Sequence, residues 1–407
     1  MVENGKRSLP SLTGLRFFAA FLICLAHVIP YVIPHSSLLF PQLAGEGMTL
    51  FFVLSGFVIH YNYSATLKEN PKLGMYNFVI SRFARLYPLF FICLCFFLLS
   101  DINKATLPAT FDQTIPYYLT LTESWFYITI GSHTLIYQFG DIPSVFWSIS
   151  TEWFFYLVYP LISFTLLKMS KIRTKIIIFL IILICMPILI AKAYFLQLSL
   201  DQFAMNRLGS GIDMTKPQDS FFRWLVYFSP YFRISEFLIG CLTAAIYMQL
   251  SERLPSKKEE GFGFFILFLA ITSIPVLHYL IFHPPVKLLW MEELHRCFGF
   301  APTMAIIMFC CVRYNNIITR LACNPILILG GEMSYSLYLL HLPIAAAFSY
   351  NAPHTYSWIL TLGELPRTLL TFACIFGIAF ISYNLIEIPM RRILRRWLMV
   401  SPVYSVL

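Results

Sequence analysis

Apolar runs of about 20 residues recur along the whole chain, and a helix of that length crosses ~30 Å of hydrocarbon. Ten such runs are expected as spans, at about 12–33, 44–62, 86–102, 144–167, 174–197, 231–249, 262–282, 297–312, 326–349 and 368–388, the eighth being the shortest. No gap between them is large enough for a soluble domain. The expected fold is therefore all-α, a polytopic membrane helical bundle forming a single domain over residues 1–407. Composition agrees, because only 12% of residues are charged and 58% are hydrophobic, against about 25% charged in soluble proteins. The first run is too long for a signal-peptide core and lacks a small-residue cleavage site, so it is expected to remain as the first span. The stretch "DQTIPYYLTLTESWFYITI" (112–130) is apolar but aromatic and interrupted. It reads as an interfacial or re-entrant segment, since Trp and Tyr favour the headgroup region.

The net charge of +9 is topological in such a chain and does not point to nucleic acid. Lys and Arg hold loops on the cytoplasmic side. With the N-terminus inside, the cytoplasmic segments hold most of the 29 basic residues, including Arg82, Arg85, Lys168, Lys171, Arg173, Lys257, Lys258, Arg313 and Arg391 to Arg396. Fewer fall outside, among them Lys104, Lys216 and Lys287. Both termini are accordingly expected in the cytoplasm. The ten cysteines form no CxxC pair and lie mostly within or beside spans. They read as small packing residues, not as disulfides or metal ligands, and no metal is expected.

A charged group at bilayer depth costs at least ~2.5–3.5 kcal/mol, so each one asks for a partner or a task. "RFFAAFLICLAH" places Arg16 and His27 eleven residues apart. That is within ~20° of three whole turns, so they share a face ~16 Å apart along the axis. "SRFARLYP" places Arg82 and Arg85 three apart, neighbours on a helix, where two guanidinium forks could hold phosphates. "FWSISTEWFFY" carries Glu152 ~12 Å into a span, at the depth of His27. In "GGEMSYSLYLLHLP", Ser334, Tyr338 and His341 follow i, i+4, i+7 on one face, and Pro343 is a candidate kink. Each has a bland reading: a snorkelling arginine, a packing histidine, ordinary inside charge, a structural hydrogen bond from Glu152 to Ser, Trp or Arg inside the bundle, an interhelical hydrogen-bonding stripe. Together, three titratable groups at one depth (His27, Glu152, His341) suggest one cavity with Arg16, Arg82 and Arg85 at its opposite mouth.

These stretches carry a family resemblance. "LTGLRFFAAFLICLAH", "GMTLFFVLSGFVI", "SRFARLYPLF", "FWSISTEWFFYLVYP", "RISEFLIGCLTA", "GEMSYSLYLLHLP" and "IEIPMRR" occur in the order of the landmarks of the acyltransferase-3 family, integral-membrane enzymes that modify sugars and other cell-envelope acceptors. The resemblance runs from about Leu9 to Arg396. One point of variation is Thr49, where many members carry an acidic residue and others a small hydroxyl residue. The esterase-like domain that some members append is not expected here. The resemblance implies a multi-pass protein of a bacterial plasma membrane. It also implies an acyl-CoA donor, usually acetyl-CoA, and transfer to a hydroxyl of a glycan or lipid-linked glycan. Arg16 and His27 would be essential, and Arg82 and Arg85 important. A consistent mechanism has Arg82 and Arg85, with Arg16, binding the CoA phosphates and His27 acting as general base. Glu152 would orient the imidazole, and Ser334, Tyr335, Tyr338, His341 and Trp147 would line the acceptor end. The outer loops at 103–143 and 198–230 would select the acceptor, whose identity the sequence leaves open. The alternative from residues alone is a secondary transporter using buried His, Glu and Arg for proton coupling. Against it, the halves show no convincing inverted repeat.

Overall fold

The computed structural model describes residues 2–3, 6–7, 9–33, 39–103, 111–131, 133–139, 143–208, 217–283, 289–349, 359 and 361–400. Parts of both candidate acceptor loops, with Lys104, Lys216 and Lys287, lie outside these.

The chain is a helical bundle. The elements run β1 (Val2–Glu3), β2 (Lys6–Arg7), α1 (Pro10–Val32), α2 (Leu39–Glu69), α3 (Pro71–Asn103), α4 (Phe111–Leu119), β3 (Thr129–Ile130) and β4 (His133–Thr134). They continue with α5 (Trp147–Lys168), α6 (Ile172–Phe195), α7 (Gln197–Leu208), α8 (Phe221–Arg223), α9 (Pro230–Leu250) and α10 (Lys257–Phe282). The last are α11 (Leu289–Cys297), α12 (Ala301–Arg313), α13 (Ile317–Ala322), α14 (Pro325–Glu332), α15 (Ser334–Ala347), α16 (Glu364–Ser382) and α17 (Ile388–Leu398). Start signals are local. Pro10, Pro230 and Pro325 sit in first turns, where the missing N–H costs nothing. Ser256 caps α10 by accepting from the Glu259 N–H, and Asn316 and Asn324 cap α13 and α14 in the same way.

Among the described residues, nine helices are long and apolar enough to cross a membrane. The expected span at 326–349 is the exception. It is divided into α14 and α15 at Met333, while Pro343 lies inside α15 without ending it. Just before the break the helix makes a close contact with α1. A methyl on Gly331 would stand 1.8 Å from the Thr13 carbonyl oxygen, and one on Gly330 would stand 2.4 Å from the Phe17 ring. The helix thus meets α1 through bare backbone just before the break. The other correction is at α3, which begins at Pro71 and not near residue 86. Arg82 and Arg85 therefore sit within a long helix, not on an approach to one.

Interior and exterior separate cleanly. The spanning window of α2 is 83% buried, whereas those of α6 and α10 are only 11% buried. Ile177, Ile184, Ile188, Phe264 and Phe268 face outward, as lipid-facing side chains do. At the centre α2 crosses α9 at very close range. A Cβ on Gly56 would lie 2.0 Å from the Phe237 carbonyl oxygen, and one on Gly240 would lie 2.0 Å from that of Val53. Small residues permit such approaches in membranes. Beside this crossing Arg233 is completely buried. It pairs with Glu236 at 2.9 Å and donates to the carbonyl oxygens of Tyr227, Cys297 and Arg296 at 2.8, 2.7 and 3.1 Å. Its guanidinium stacks on Tyr227 and Trp147, 4.7 and 5.6 Å from their ring centres. Thr49, at the family's acidic position, donates to Glu236 at 2.7 Å.

The aromatic stretch 112–130 does not form a spanning helix. It folds into α4, a turn and the β3–β4 hairpin. Trp125 Nε1 donates to the Ser150 carbonyl of α5 (2.9 Å), and Trp224 Nε1 donates to that of Ser124 (3.0 Å). Asp219 accepts from the Thr134 N–H and hydroxyl, both at 2.8 Å. Within this cap Glu123 is buried, and neither carboxylate oxygen has a hydrogen-bond partner among the described residues. Burial pushes its carboxyl well above the usual range.

Two predictions follow from these buried groups. Arg233→Ala strands Glu236 in the bundle and should destabilise the protein by about 3–5 kcal/mol, the usual cost of breaking a buried pair. Thermal melting in detergent measures it. Glu123 is neutral in both folded and unfolded chains below about pH 4, where carboxyls are protonated. Above that pH the unfolded chain ionises first, and stability is lost until the folded carboxyl also ionises. Glu123→Gln should therefore raise the melting temperature at pH 7.5, and the gain should shrink towards pH 4. An equal gain at both pH values would contradict this.

Candidate functional site

Five helices enclose a cavity of about 660 Å³, counting its open mouth. Its polar lining comes from α1 (Arg16), α2 (Ser55), α3 (Arg82, Arg85), α5 (Ser148, Glu152, Tyr156) and α15 (Ser334, Tyr335, Tyr338), and its apolar lining includes Met48, Phe51 and Phe52. The structure thus gathers most of the residues singled out from sequence, although they span more than three hundred positions.

The three arginines differ in how they are held. Arg82 is buried, donates to the Tyr63 hydroxyl at 2.7 Å and lies over the rings of Tyr63 and Tyr156 at 5.0 and 5.8 Å. Arg16 and Arg85, by contrast, have no hydrogen-bond or ion-pair partner among the described residues, yet both line the cavity. Glu152 does not balance them by contact. It accepts from Ser55 at 2.8 Å and from the Tyr156 hydroxyl in a very short hydrogen bond. Tyr63, Ser55 and Tyr156 were not picked out from the sequence. Tyr156 lies four residues after Glu152, one turn along the same helix, and that spacing was the available signal.

The histidines form a second group. His27 Nδ1 lies 2.9 Å from His341 Nε2, and the rings stack with centroids 5.2 Å apart. On its other side, His341 Nδ1 lies 2.6 Å from the Tyr338 carbonyl oxygen. A carbonyl only accepts, so His341 Nδ1 carries the proton and, in the neutral ring, Nε2 is a lone pair. His27 Nδ1–H then donates to that lone pair, leaving His27 Nε2 as the free basic nitrogen. Glu152 is not the partner of His27. It lies with the arginines, and neither histidine is part of the cavity lining. The expected single His/Glu centre is thus two neighbouring groups joined by α15.

The remaining residues of α15 divide by role. Tyr338 lines the cavity, donates to the Val145 carbonyl at 2.9 Å and accepts from Ser148 at 2.6 Å. Tyr335 donates to the Leu86 carbonyl of α3 at 2.6 Å, tying α15 to the arginine helix. Ser334 is buried at the lining. Trp147 is not at the lining. Its ring packs on Arg233 and against Tyr227 and Phe228, a supporting position behind the wall.

Comparison with known proteins gives the same picture. A family model described as an acyltransferase domain, acyltransferase-3, matches residues 9–384. Acyltransferase MdmB of Streptomyces mycarofaciens is 32% identical over 163 residues, 38% of this chain and 38% of that protein. O-acetyltransferase OatA of Staphylococcus aureus (strain NCTC 8325 / PS 47) is 26% identical over 391 residues, 95% of this chain and 58% of that protein. An uncharacterized protein of Haemophilus influenzae is 26% identical over 224 residues, 52% of this chain and 79% of that one. The match therefore spans well under two thirds of the length of MdmB and of OatA. No solved structure matches. Because the family match runs from the start of α1 to the end of α16 and takes in every helix that lines the cavity, this multi-pass membrane protein belongs to the acyltransferase-3 family.

Proposed function

We propose that the protein is an O-acyltransferase. It moves an acyl group, acetyl in the simplest case, from cytoplasmic acyl-CoA to a hydroxyl of a cell-envelope or secreted carbohydrate. The observation that carries this reading is the pair of unpartnered guanidinium groups, Arg16 and Arg85, on the wall of an internal cavity. Uncompensated cations at bilayer depth are costly, and phosphate is the anion that arginine forks bind best. CoA supplies phosphates at one end of a long thin arm and a thioester at the other. The excess of Lys and Arg in alternate loops supports a cytoplasmic mouth with both termini inside. The name of the OatA relative supports O-acetylation.

In this mechanism Arg16 and Arg85 bind the donor phosphates, and Arg82, braced by Tyr63, adds a third positive charge. The arm runs along the wall formed by Ser55, Tyr335 and Tyr338. His27 Nε2 takes the proton of the acceptor hydroxyl as its oxygen attacks the thioester carbonyl carbon. The carbon–sulfur bond breaks and the CoA thiolate leaves, receiving the proton that His27 took. His341 holds the His27 imidazole through Nδ1 and stabilises the cation while it exists, the service that a carboxylate performs in triads. Glu152, held by Ser55 and Tyr156, limits the net positive charge of the cavity before the donor binds.

His27→Ala should lower acyl transfer by about 10²–10⁴-fold, the usual contribution of a general base, with acyl-CoA binding retained. Wild-type activity in a folded variant would remove the catalytic role. Arg85→Ala should weaken acyl-CoA binding about tenfold or more and leave thermal stability unchanged, because Arg85 has no hydrogen-bond or ion-pair partner to lose among the described residues. Binding of a labelled acyl-CoA to protein in detergent measures it. Unchanged affinity for Arg85→Ala and Arg16→Ala alike would overturn the phosphate assignment.

A further inference from the structure

Glu46 of α2, His278 of α10 and His295 of α11 meet away from the cavity. They lie at the end of the bundle where α1 finishes and α2 begins. His278 Nδ1 lies 3.0 Å and His295 Nε2 lies 3.2 Å from the same carboxylate oxygen, Glu46 Oε1. The three donor atoms fall within 4.8 Å of one another. Glu46 and His295 are buried, and the His278 side chain is 15% exposed.

Three features of this cluster go beyond hydrogen bonding. Two imidazoles and a carboxylate form a donor set that suits zinc and similar divalent ions. Both rings aim at one point, not at one carboxylate oxygen each. Tetrahedral zinc with bonds of about 2.0–2.1 Å places neighbouring donors about 3.3 Å apart, close to the two separations between Glu46 and the histidines. Aromatic rings also fix the ligands. Phe282 lies 4.9 Å from the His278 ring and 5.1 Å from the His295 ring, and Phe300 stands edge-on to His295 at 5.1 Å. Such packing holds ligand rotamers and keeps the site dry.

The position also gives an ion something to do. α10 is a rim helix whose spanning window is mostly exposed. At its first turn Glu259 pairs with Arg313 of α12 at 3.1 Å. The Glu46 cluster lies near its other end. We propose that Glu46, His278 and His295 bind a divalent transition-metal ion of the zinc type, which ties the outlying α10 to α2 and α11. Water would complete the four-coordinate shell.

The test uses the full chain, purified in detergent, stripped with chelator and offered zinc or cobalt. One zinc per chain is expected after desalting. Cobalt is expected to give the visible ligand-field bands of a four-coordinate site, and zinc should raise the melting temperature. Glu46→Gln keeps an oxygen that accepts from both rings but removes the charge, so it preserves a hydrogen-bonded triad and should lower zinc affinity at least tenfold. His278→Ala, at the edge of the cluster, should do the same if the glutamine variant does not fold. No retained zinc in the wild type would overturn the proposal. So would zinc affinity and cobalt spectrum left unchanged by the substitution. Neither result bears on acyl transfer, which uses other residues.

Discussion

A guanidinium group inside a membrane protein must have its charge and its five N–H donors answered, and this bundle is organised around how that is done. Arg233 is answered entirely by protein, with a carboxylate, three main-chain carbonyls and two aromatic faces. It lies beside the α2–α9 crossing and locks the end of α11 to α9. Arg82 is answered in part, by one tyrosine hydroxyl and two ring faces. Arg16 and Arg85 are answered by no residue described. The gradient from full to absent satisfaction follows the route from the scaffold to the cavity. A buried structural tie and an open cationic cavity wall are made from one residue type by changing what surrounds it.

The two histidines show a related economy. One main-chain carbonyl, that of Tyr338, determines which nitrogen of His341 carries its proton, and through it which nitrogen of His27 is free. A charged partner would have held the imidazole too, but at the cost of desolvating another ion. In a site already holding three arginines and a glutamate, a neutral partner leaves the local charge unchanged. Tyr338 also lines the cavity, so the residue that sets the histidine polarity touches the same space as the arginines.

Much of the architecture was legible in the sequence, because a spanning helix announces itself by length and hydropathy. The shared face of Arg16 and His27 was legible for the same reason. Arg16 lines the cavity, and His27 reaches the helix that lines it. Of the i, i+4, i+7 stripe of α15, Ser334 and Tyr338 line the cavity, whereas His341 meets His27. The pairing of Glu152 was not legible. Counting residues gives depth along a helix but not rotation about its axis, and His27 and Glu152 matched only in depth. The division at Met333 was hidden because the apolar run continues through α14 and α15 and carries no breaker at the break itself. The start of α3 was missed because hydropathy marks where lipid begins, not where helix begins. Glu46, His278 and His295 could not have been linked, since they share no motif and no spacing.

The glycine pair at Gly56 and Gly240 has a mechanical meaning. There the gap between two central helices is set by main chain against main chain, and no side chain acts as a spacer. Repacking cannot adjust such a gap, because nothing at the contact can adopt another rotamer. Ser55 and Glu236 flank this joint, one on the cavity and the other in the Arg233 network. The joint therefore behaves as a fixed axle. By contrast, α15 is tied to α3 by the Tyr335 hydroxyl on the Leu86 carbonyl, a contact that a side-chain rotation can release.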